Sequence, residues 1–270
     1  MPKFRSASFR AIVRSGAFLP NRVLQTLELA SRMSQGKGWG EATVRQEVMA
    51  ALSLLPIGGR TGLVAIDVGA NVGSWTQEFL RQVPTSNVFC FEPSATAYET
   101  LTSRFENEER VHPFNLALSD KSGPARLWSD YPGSGLASLS RRRLDHMDIS
   151  FLNTEQVQLS TLDQWCSEES IQPRILKLDV EGHELHVLNG ATGTLASVDV
   201  IQFEFGGGNI DSRTFFQDFF YFFQERRFKL FRLTPSGLRE VSQYRENDEA
   251  FATTNYFAQR LESSRGCGRY

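Results

Sequence analysis

Four carboxylates stand at the ends of short apolar segments, and this spacing could bring them together. Asp67, Glu92, Asp179 and Glu204 each close or directly follow such a segment. Apolar runs of this length are typical of strands that are buried on both faces of a parallel sheet. The carboxyl ends of such strands meet at one edge, where ligands bind. Carboxylates at that edge can accept hydrogen bonds from hydroxyl groups or take up a proton.

A glycine-containing loop follows the first apolar segment. Residues 67–73 are Asp-Val-Gly-Ala-Asn-Val-Gly, and glycine permits a sharp turn and the close approach of a ligand. The spacing is neither the Gly-x-Gly-x-x-Gly of dinucleotide-binding proteins nor that of a phosphate loop. An acid beside the loop would repel a phosphate and attract a cation. We therefore expect Asp67, Gly69, Ala70, Asn71 and Gly73 to bind a ligand without a diphosphate, unless the loop is only a packing turn.

The acid at the end of the second segment suits a ribose. Glu92 lies 19 residues after Gly73 and precedes Pro93, and a carboxylate at that position can accept hydrogen bonds from both hydroxyls of a nucleoside. S-adenosylmethionine is a nucleoside of this kind, because it carries a sulfonium and an α-amino group and no diphosphate. The loop and Glu92 together predict this cofactor, whereas Glu92 alone is also explained as a solvated strand end.

Five segments resemble, in this order, the FkbM family of class I S-adenosylmethionine-dependent methyltransferases. They are Ile66–Gly73, Phe91–Pro93, Asn115–Asp120, Ser160–Asp163 and Lys177–Glu184. The resemblance covers about residues 62–206 and implies transfer of a methyl group to a hydroxyl oxygen, with a small-molecule or saccharide acceptor. It also implies that Glu92 and Pro93 hold the ribose and that Leu118 and Ser119, with Asn115 nearby, lie at the adenine. The last three residues are equally compatible with an ordinary loop.

The segment after the fourth apolar run contains candidates for the reaction itself. Methyl transfer needs alignment of the two reacting atoms and a base for the hydroxyl proton. His183 titrates near neutrality, and Glu181 could serve if burial raised its pKa. Asp179 is placed to orient the acceptor or to hold the methionine end of the donor. In the alternative interpretation, Glu181 and Glu184 only favour the start of the next helix.

A divalent cation is a second hypothesis for the strand-end acids. Asp179 and Glu204 end adjacent predicted strands, so both could bind Mg²⁺. The sequence after the fifth strand lacks an adjacent acid–amide pair, and the pattern therefore does not favour a metal. Without a metal, we expect Glu204 to form a hydrogen bond with the acceptor.

Alternating strands and helices position these residues. The predicted strands are Leu63–Val68, Asn87–Phe91, Val111–Leu118, Arg174–Asp179 and Asp199–Phe205, followed by two near Phe228–Leu233 and Asn255–Gln259. This alternation predicts an α/β fold with a doubly wound, mostly parallel seven-stranded sheet and helices on both faces, as in Rossmann-like methyltransferases. We predict a methyltransferase domain over residues 61–270 and a helical extension over residues 1–60.

Three flanking features leave alternatives open. Met1–Gly16 is a basic amphipathic segment that suits an anionic membrane surface, although a helix packed on the main domain is the favoured interpretation. Arg141–Arg143 follow a Gly/Ser-rich stretch and either close over the acceptor or form a solvated loop. The aromatic helix Arg213–Arg226 is predicted to pack in the core, and one of its sides could also meet a substrate pocket or a second subunit.

Composition narrows the class of protein. The 29 basic and 31 acidic residues give a net charge of −2, which removes a global electrostatic argument for nucleic acid. Three separated cysteines, the lack of a membrane-spanning apolar run and the lack of a secretory leader predict a cytoplasmic protein. An NAD-dependent oxidoreductase and a non-catalytic S-adenosylmethionine-binding protein are the rival predictions, and the missing second glycine of the dinucleotide fingerprint counts against the first.

Overall fold

The computed structural model describes residues 11, 13–14, 16, 18–40, 42–56 and 59–261. The basic helix predicted over Met1–Gly16 therefore lies mostly outside the described residues. Within them, no helix combines the length and the apolar character that crossing a membrane requires.

Eleven described strands form two sheets. They are β1 (Val64–Val68), β2 (Asn87–Phe91), β3 (Val111–Phe114), β4 (Ala117–Leu118), β5 (Gly123–Ser129), β6 (Asn153–Ser160), β7 (Ile175–Leu178), β8 (Val200–Phe205), β9 (Phe228–Thr234), β10 (Gly237–Glu240) and β11 (Thr254–Arg260). The large sheet has the order β10-β9-β11-β8-β7-β1-β2-β3, and the small one has the order β4-β6-β5.

The large sheet is doubly wound. Its strands β8, β7, β1, β2 and β3 are parallel, whereas β11, β9 and β10 join by antiparallel pairing. The chain runs outward from β1 through β2 to β3 and then returns to β7 on the other side of β1. The topological switch point, where such sheets bind ligands, therefore lies between β1 and β7. The predicted fold class is confirmed, with the hairpin strand β10 as an eighth strand.

Helices cover both faces of the large sheet. The described α-helices are α1 (Asn21–Ser34), α2 (Val44–Ser53), α3 (Ser74–Gln82), α4 (Ala95–Arg104), α5 (Leu162–Glu169), α6 (Glu184–Asn189), α7 (Gly208–Ser212) and α8 (Phe216–Glu225), and short 3₁₀ turns cover Asp145–Met147, Thr194–Ala196 and Glu246–Asp248. One core lies between the sheet and α2 and α3. A larger core lies on the opposite face, where α5, α6 and the aromatic side chains of α8 pack.

The strand predicted over Val111–Leu118 is wrong in one respect, because it is two strands in two sheets. β3 pairs with β2 in the large sheet, and β4 pairs with β6 in the small one. The exposed Asn115 stands at the break, and its side-chain amide donates hydrogen bonds to the carbonyl oxygens of Glu92 and Pro93. Asn115 thus ties the turn after β2 to the point at which the chain leaves the large sheet.

The two helices before β1 differ in their packing. α2 begins with a capping box in which Thr43 and Gln46 bond each other's backbone N–H groups, an arrangement that satisfies otherwise unpaired helix donors. Val48, Ala51 and Leu52 of α2 are buried against the sheet. α1 has no buried residue. The domain boundary near residue 60 stays a prediction.

Candidate active site

One cavity lies at the switch point of the large sheet. The space between its walls, together with its open mouth, amounts to about 620 Å³. The predicted site residues that line it are Gly69, Asn71, Glu92, Pro93, Leu118, Asp179, Glu181 and His183. The structure thus brings together residues from both halves of the sheet. Six other predicted residues do not line the cavity, namely Asp67, Ala70, Gly73, Asn115, Ser119 and Glu204.

The glycine loop bends sharply between β1 and α3. Gly69 has a φ of +74°, and a Cβ there would lie 1.8 Å from the carbonyl oxygen of Asp179, so no side chain fits between the two strand ends. The backbone N–H groups of Gly69 and Ala70 donate to the carbonyl of Phe91. A Cβ on Gly73 would lie 2.4 Å from the ring of Phe105. Gly73 therefore serves helix packing, and Ala70 is buried beside it.

Glu92 is held by backbone donors at the mouth of this loop. One carboxylate oxygen accepts a hydrogen bond from the N–H of Asn71 at 2.8 Å, and the other accepts from Ser94 at 2.9 Å. Burial raises the pKa of Glu92 to about 7, and the two backbone bonds counteract this rise. Each oxygen keeps acceptor capacity toward the cavity. Glu92 is therefore oriented to bind a diol.

The predicted adenine residues divide between the cavity and its support. Leu118 lines the cavity. Asn115 holds the Glu92–Pro93 turn through its side-chain amide, as described above. Ser119 is buried, and its hydroxyl lies 2.9 Å from Nε2 of His183. These contacts give Asn115 and Ser119 positioning roles, whereas Leu118 offers an apolar wall.

A buried lysine lies beneath the cavity, and the sequence prediction overlooked it. The ammonium group of Lys177 lies 3.0 Å from Asp67, 3.5 Å from Asp179 and 2.8 Å from the carbonyl oxygen of Gly69. Burial alone would lower the pKa of Lys177, but the charges of Asp67 and Asp179 raise it above its usual value. The one available signal was a lysine within an otherwise apolar strand.

Asp67 has a different environment from the predicted one. It is fully buried, where Thr76 donates a hydrogen bond to one oxygen at 2.7 Å and Lys177 faces the other. A cation of the protein itself therefore occupies the position that the sequence analysis assigned to a cationic ligand. Asp67 supports the loop from below rather than facing the cavity.

The segment after β7 is tightly constrained. Glu181 and Gly182 have φ values of +53° and +95°, and a Cβ on Gly182 would lie 2.4 Å from the backbone of Gly208. The buried Glu184 accepts hydrogen bonds from the N–H groups of Val180 and Gly182 at 3.0 and 3.1 Å. Glu184 was predicted to favour the start of the next helix, and in the structure its side chain holds the loop that precedes this helix. As a result, Glu181 faces the cavity from a left-handed backbone position.

The arginine-containing loop reaches over this site. Arg142 is almost completely buried and lies 2.5 Å from a carboxylate oxygen of Glu181, and Asp211 lies 3.8 Å away on its other side. The hydroxyl of Ser138 donates to the backbone carbonyl of Glu181. Ser134, Gly135 and Ala137–Leu139 of the same loop line the cavity. Arg142 is therefore bound to the protein's own acids, whereas Arg143 is exposed and pairs with Asp145.

Burial shifts the pKa values of the two candidate bases in opposite directions. Burial, together with the charge of Asp179, raises the pKa of Glu181 to about 7, although Arg142 lowers it in part. Burial and the neighbouring His186 lower the pKa of His183 to about 3. The rings of His183 and His186 stack at 4.2 Å. At neutral pH, His183 is thus a neutral ring and a weak base.

Three carboxylates meet beside the cavity. Asp179, Glu181 and Glu204 each offer an oxygen within 4.8 Å of the others. Burial and the surrounding acids raise the pKa of Glu204 well above its usual value. Lys177 and Arg142 already neutralise two of these carboxylates. A magnesium ion at Asp179 and Glu204 remains an unfavoured prediction, because the donor set is partly occupied by the protein's own cations.

A polar network from α2 extends the site beyond the strand ends. Gln202 and Asn255 donate hydrogen bonds to the two carboxylate oxygens of Glu47, at 2.9 and 3.2 Å, and the indole of Trp75 donates to Gln202 at 2.9 Å. Burial raises the pKa of Glu47 to about 7, and Asp179 contributes to the rise. The sequence analysis missed Glu47 because a charged residue on an amphipathic helix is usually exposed to solvent.

The doubly wound sheet and the glycine loop at its switch point define a Rossmann-like α/β protein. A family model described as the methyltransferase FkbM domain matches residues 67–230, more than half of the chain. The chain therefore belongs to the FkbM methyltransferase family, as the five sequence segments predicted.

Two curated relatives share the central part of the chain. The 2-O-methyltransferase NoeI of Sinorhizobium fredii is 29% identical over 152 residues, which cover 53% of this chain and 63% of that protein. The hexuronic acid methyltransferase AglP of Haloferax volcanii is 32% identical over 146 residues, which cover 53% of this chain and 55% of that protein. The matched part thus spans less than two thirds of either relative.

Solved methyltransferase structures show a distant likeness. A magnesium protoporphyrin IX methyltransferase from Synechocystis with bound S-adenosylmethionine has a TM-score of 0.42 at 13% identity, and 96% of this chain and 94% of that chain are covered. An S-adenosylmethionine-dependent O-methyltransferase from Thermotoga maritima has a TM-score of 0.40 at 14% identity, with 83% and 74% covered. Likenesses of this size say nothing about the acceptor.

The buried lysine yields a stability prediction. In Lys177→Met, Asp67 and Asp179 lose their shared cation while the volume of the side chain is nearly kept. Leaving the buried carboxylate of Asp67 without its cation should lower the free energy of unfolding by about 3 to 5 kcal/mol. Urea unfolding of the variant measures this loss. The exposed Lys229 provides the control, since Lys229→Met should change stability by about 0.5 kcal/mol or less. Equal effects of the two substitutions would contradict the assigned role.

Proposed function

We propose that this methyltransferase transfers the methyl group of S-adenosylmethionine to a hydroxyl oxygen of a saccharide or glycosylated metabolite. The observation that carries the proposal is the single cavity in which Glu92 and the glycine loop face Asp179 and Glu181. One side of the cavity suits a nucleoside, and the other supplies a proton acceptor.

The donor side follows from the geometry of Glu92. Its two oxygens are fixed by the backbone N–H groups of Asn71 and Ser94, so they meet a ribose diol without reorganisation. The apolar side chain of Leu118 stands where a flat base can pack. Asp179, whose side chain is 44% exposed, offers a carboxylate to the cationic methionine end of the donor.

The reaction side follows from the environment of Glu181. The acceptor oxygen attacks the methyl carbon, the carbon–sulfur bond breaks, and S-adenosylhomocysteine leaves with the electron pair. The hydroxyl proton passes to the carboxylate of Glu181, whose raised pKa of about 7 suits a general base near neutral pH. We assign this role to Glu181 rather than to His183, and we assign the orientation of the acceptor to Asp179 and Glu204.

The saccharide acceptor is the finer part of the proposal. NoeI is named a 2-O-methyltransferase and AglP a hexuronic acid methyltransferase, which favours an acceptor rich in hydroxyl groups. The polar side chains Ser134 and Ser138 of the covering loop line the cavity beside Glu181. The hydroxyl groups of a sugar can donate hydrogen bonds to the carboxylates of this cavity and can exchange hydrogen bonds with its serine hydroxyls.

Cofactor binding gives the first functional prediction. Calorimetric titration should show binding of S-adenosylmethionine and S-adenosylhomocysteine but not of NAD. Glu92→Ala should weaken that binding by about 10- to 100-fold, because hydrogen bonds to a charged group are worth about 1.5 to 3 kcal/mol. Glu99→Ala, at an exposed position of α4, is the control and should bind normally. Binding of NAD alone would instead support an oxidoreductase.

Loss of Asp179 should remove turnover and preserve the fold. In Asp179→Ala, radiolabelled methyl transfer to a panel of hexoses and hexuronic acids should fall by at least about 100-fold, because the acceptor and the donor lose their shared orienting group. The half-exposed side chain makes a large loss of stability unexpected, and thermal unfolding checks this point. Unchanged transfer by the variant would point to a non-catalytic S-adenosylmethionine-binding protein.

The pH dependence of kcat distinguishes the two candidate bases. A base must be deprotonated to act, so kcat should rise with pH through about 7, the pKa of Glu181. Glu181→Gln should abolish this rise and lower kcat by about 100- to 10,000-fold. His183→Asn should keep the rise, because His183 is already neutral above its pKa of about 3. The reverse pattern would assign the base to His183.

A further inference from the structure

The helix α1 presents an uncovered apolar face. Val23, Leu24 and Leu27 are 42%, 38% and 56% exposed, and their spacing places them on one side of the helix with Ala30. Phe18, just before the helix, is 89% exposed. No residue of α1 is buried, so the rest of the described chain leaves this face uncovered.

Basic residues accompany this apolar face. Residues 1–34 contain six lysines and arginines and one acid, a net charge of +5, whereas residues 35–270 carry −7. Within the described part of this segment, Arg14 and Arg22 are exposed, and Arg32 lies on the polar side, 3.8 Å from Glu28. The sequence of this segment is thus basic, whereas that of the remaining chain is acidic.

The C-terminal end of α1 is fixed to the sheet domain. The guanidinium of Arg232 donates to the carbonyl of Gln35 at 2.8 Å, and the ammonium of Lys37 lies 3.1 Å from Asp248. A Cβ on Gly36 would lie 2.3 Å from the carbonyl oxygen of Leu233. The helix therefore has a defined attachment at β9, and its apolar face is held in a fixed relation to the domain.

We propose that α1 and the basic residues before it bind the surface of an anionic lipid bilayer. Amphipathic helices of this composition lie in the membrane interface with their apolar side inserted by about 5 to 10 Å. Nearby arginines and lysines add attraction to anionic headgroups. The net charge of −7 on the rest of the chain is repelled by the same surface, so binding is confined to this segment.

A second copy of the chain fits the same surface less well. Pairing two copies through α1 would bring two segments of charge +5 against each other, and like charges repel. The helix has 14 residues and is about 21 Å long at 1.5 Å per residue. Three or four apolar side chains over that length make a small contact. An anionic bilayer satisfies the apolar and the basic side chains together.

Vesicle co-sedimentation of the full chain tests this inference independently of the methyl transfer. The probes are vesicles of phosphatidylcholine alone and vesicles with about one third phosphatidylglycerol. We expect binding to the anionic vesicles only, with a loss of binding as salt rises from about 0.1 M to about 0.5 M. Leu27→Glu should reduce the bound fraction about tenfold, because it places a charge in the inserted face.

Two matched variants control the experiment. Leu152→Glu adds the same charge at a leucine that is 67% exposed, and Arg45→Glu reverses an exposed arginine on α2. Both should bind the anionic vesicles like the unaltered chain, whereas Arg22→Glu should weaken binding about tenfold. Equal binding to both vesicle types, or an unchanged bound fraction for Leu27→Glu, overturns the proposal. A dimer that Leu27→Glu dissociates, without vesicle binding, would assign the face to a second copy.

Discussion

The ion pairs of one buried lysine connect the two halves of the site. Lys177 contacts the carbonyl oxygen of Gly69 and the carboxylates of Asp67 and Asp179, and a buried charge must be compensated in this way to be tolerated. Because β7 lies beside β1, this ammonium group contacts both the glycine loop after β1 and the segment after β7. The cavity exists between these two segments, so its width depends on this contact.

Negative charge is concentrated around that lysine. Glu47, Glu181 and Glu204 are all buried enough for their pKa values to rise, and Lys177 and Arg142 are the cations that face them. With more acids than cations, the cluster holds protons near neutral pH. Burial and the neighbouring charge of Asp179 raise the pKa of Glu181, and in the proposed function the same group of acids would also attract a cationic ligand.

The sequence was sufficient for the parts of the fold that follow from local pattern. Buried strands and the Gly69 turn have strong local signatures, and Glu92 follows from its spacing to the loop. The small sheet and the break at Asn115 were missed because β4 has only two residues and because the longer strands β5 and β6 contain few apolar residues. The environment of Asp67 depends on Lys177, which is more than 100 residues away in the chain, and Glu47 depends on Gln202 and Asn255. Contacts between residues so far apart in the chain depend on the three-dimensional path of the chain and cannot be inferred from the spacing of residues in the sequence.

The position of β11 has a consequence for biosynthesis. Thr254–Arg260 follows every other described strand in the sequence, yet it lies inside the large sheet between β8 and β9. It also brings Asn255 to Glu47 of an early helix. A ribosome must therefore release the residues up to about Arg260 before the sheet can close. Until then the nascent polypeptide exposes the unpaired edges of β8 and β9, which makes this stage the one at which a chaperone would be needed.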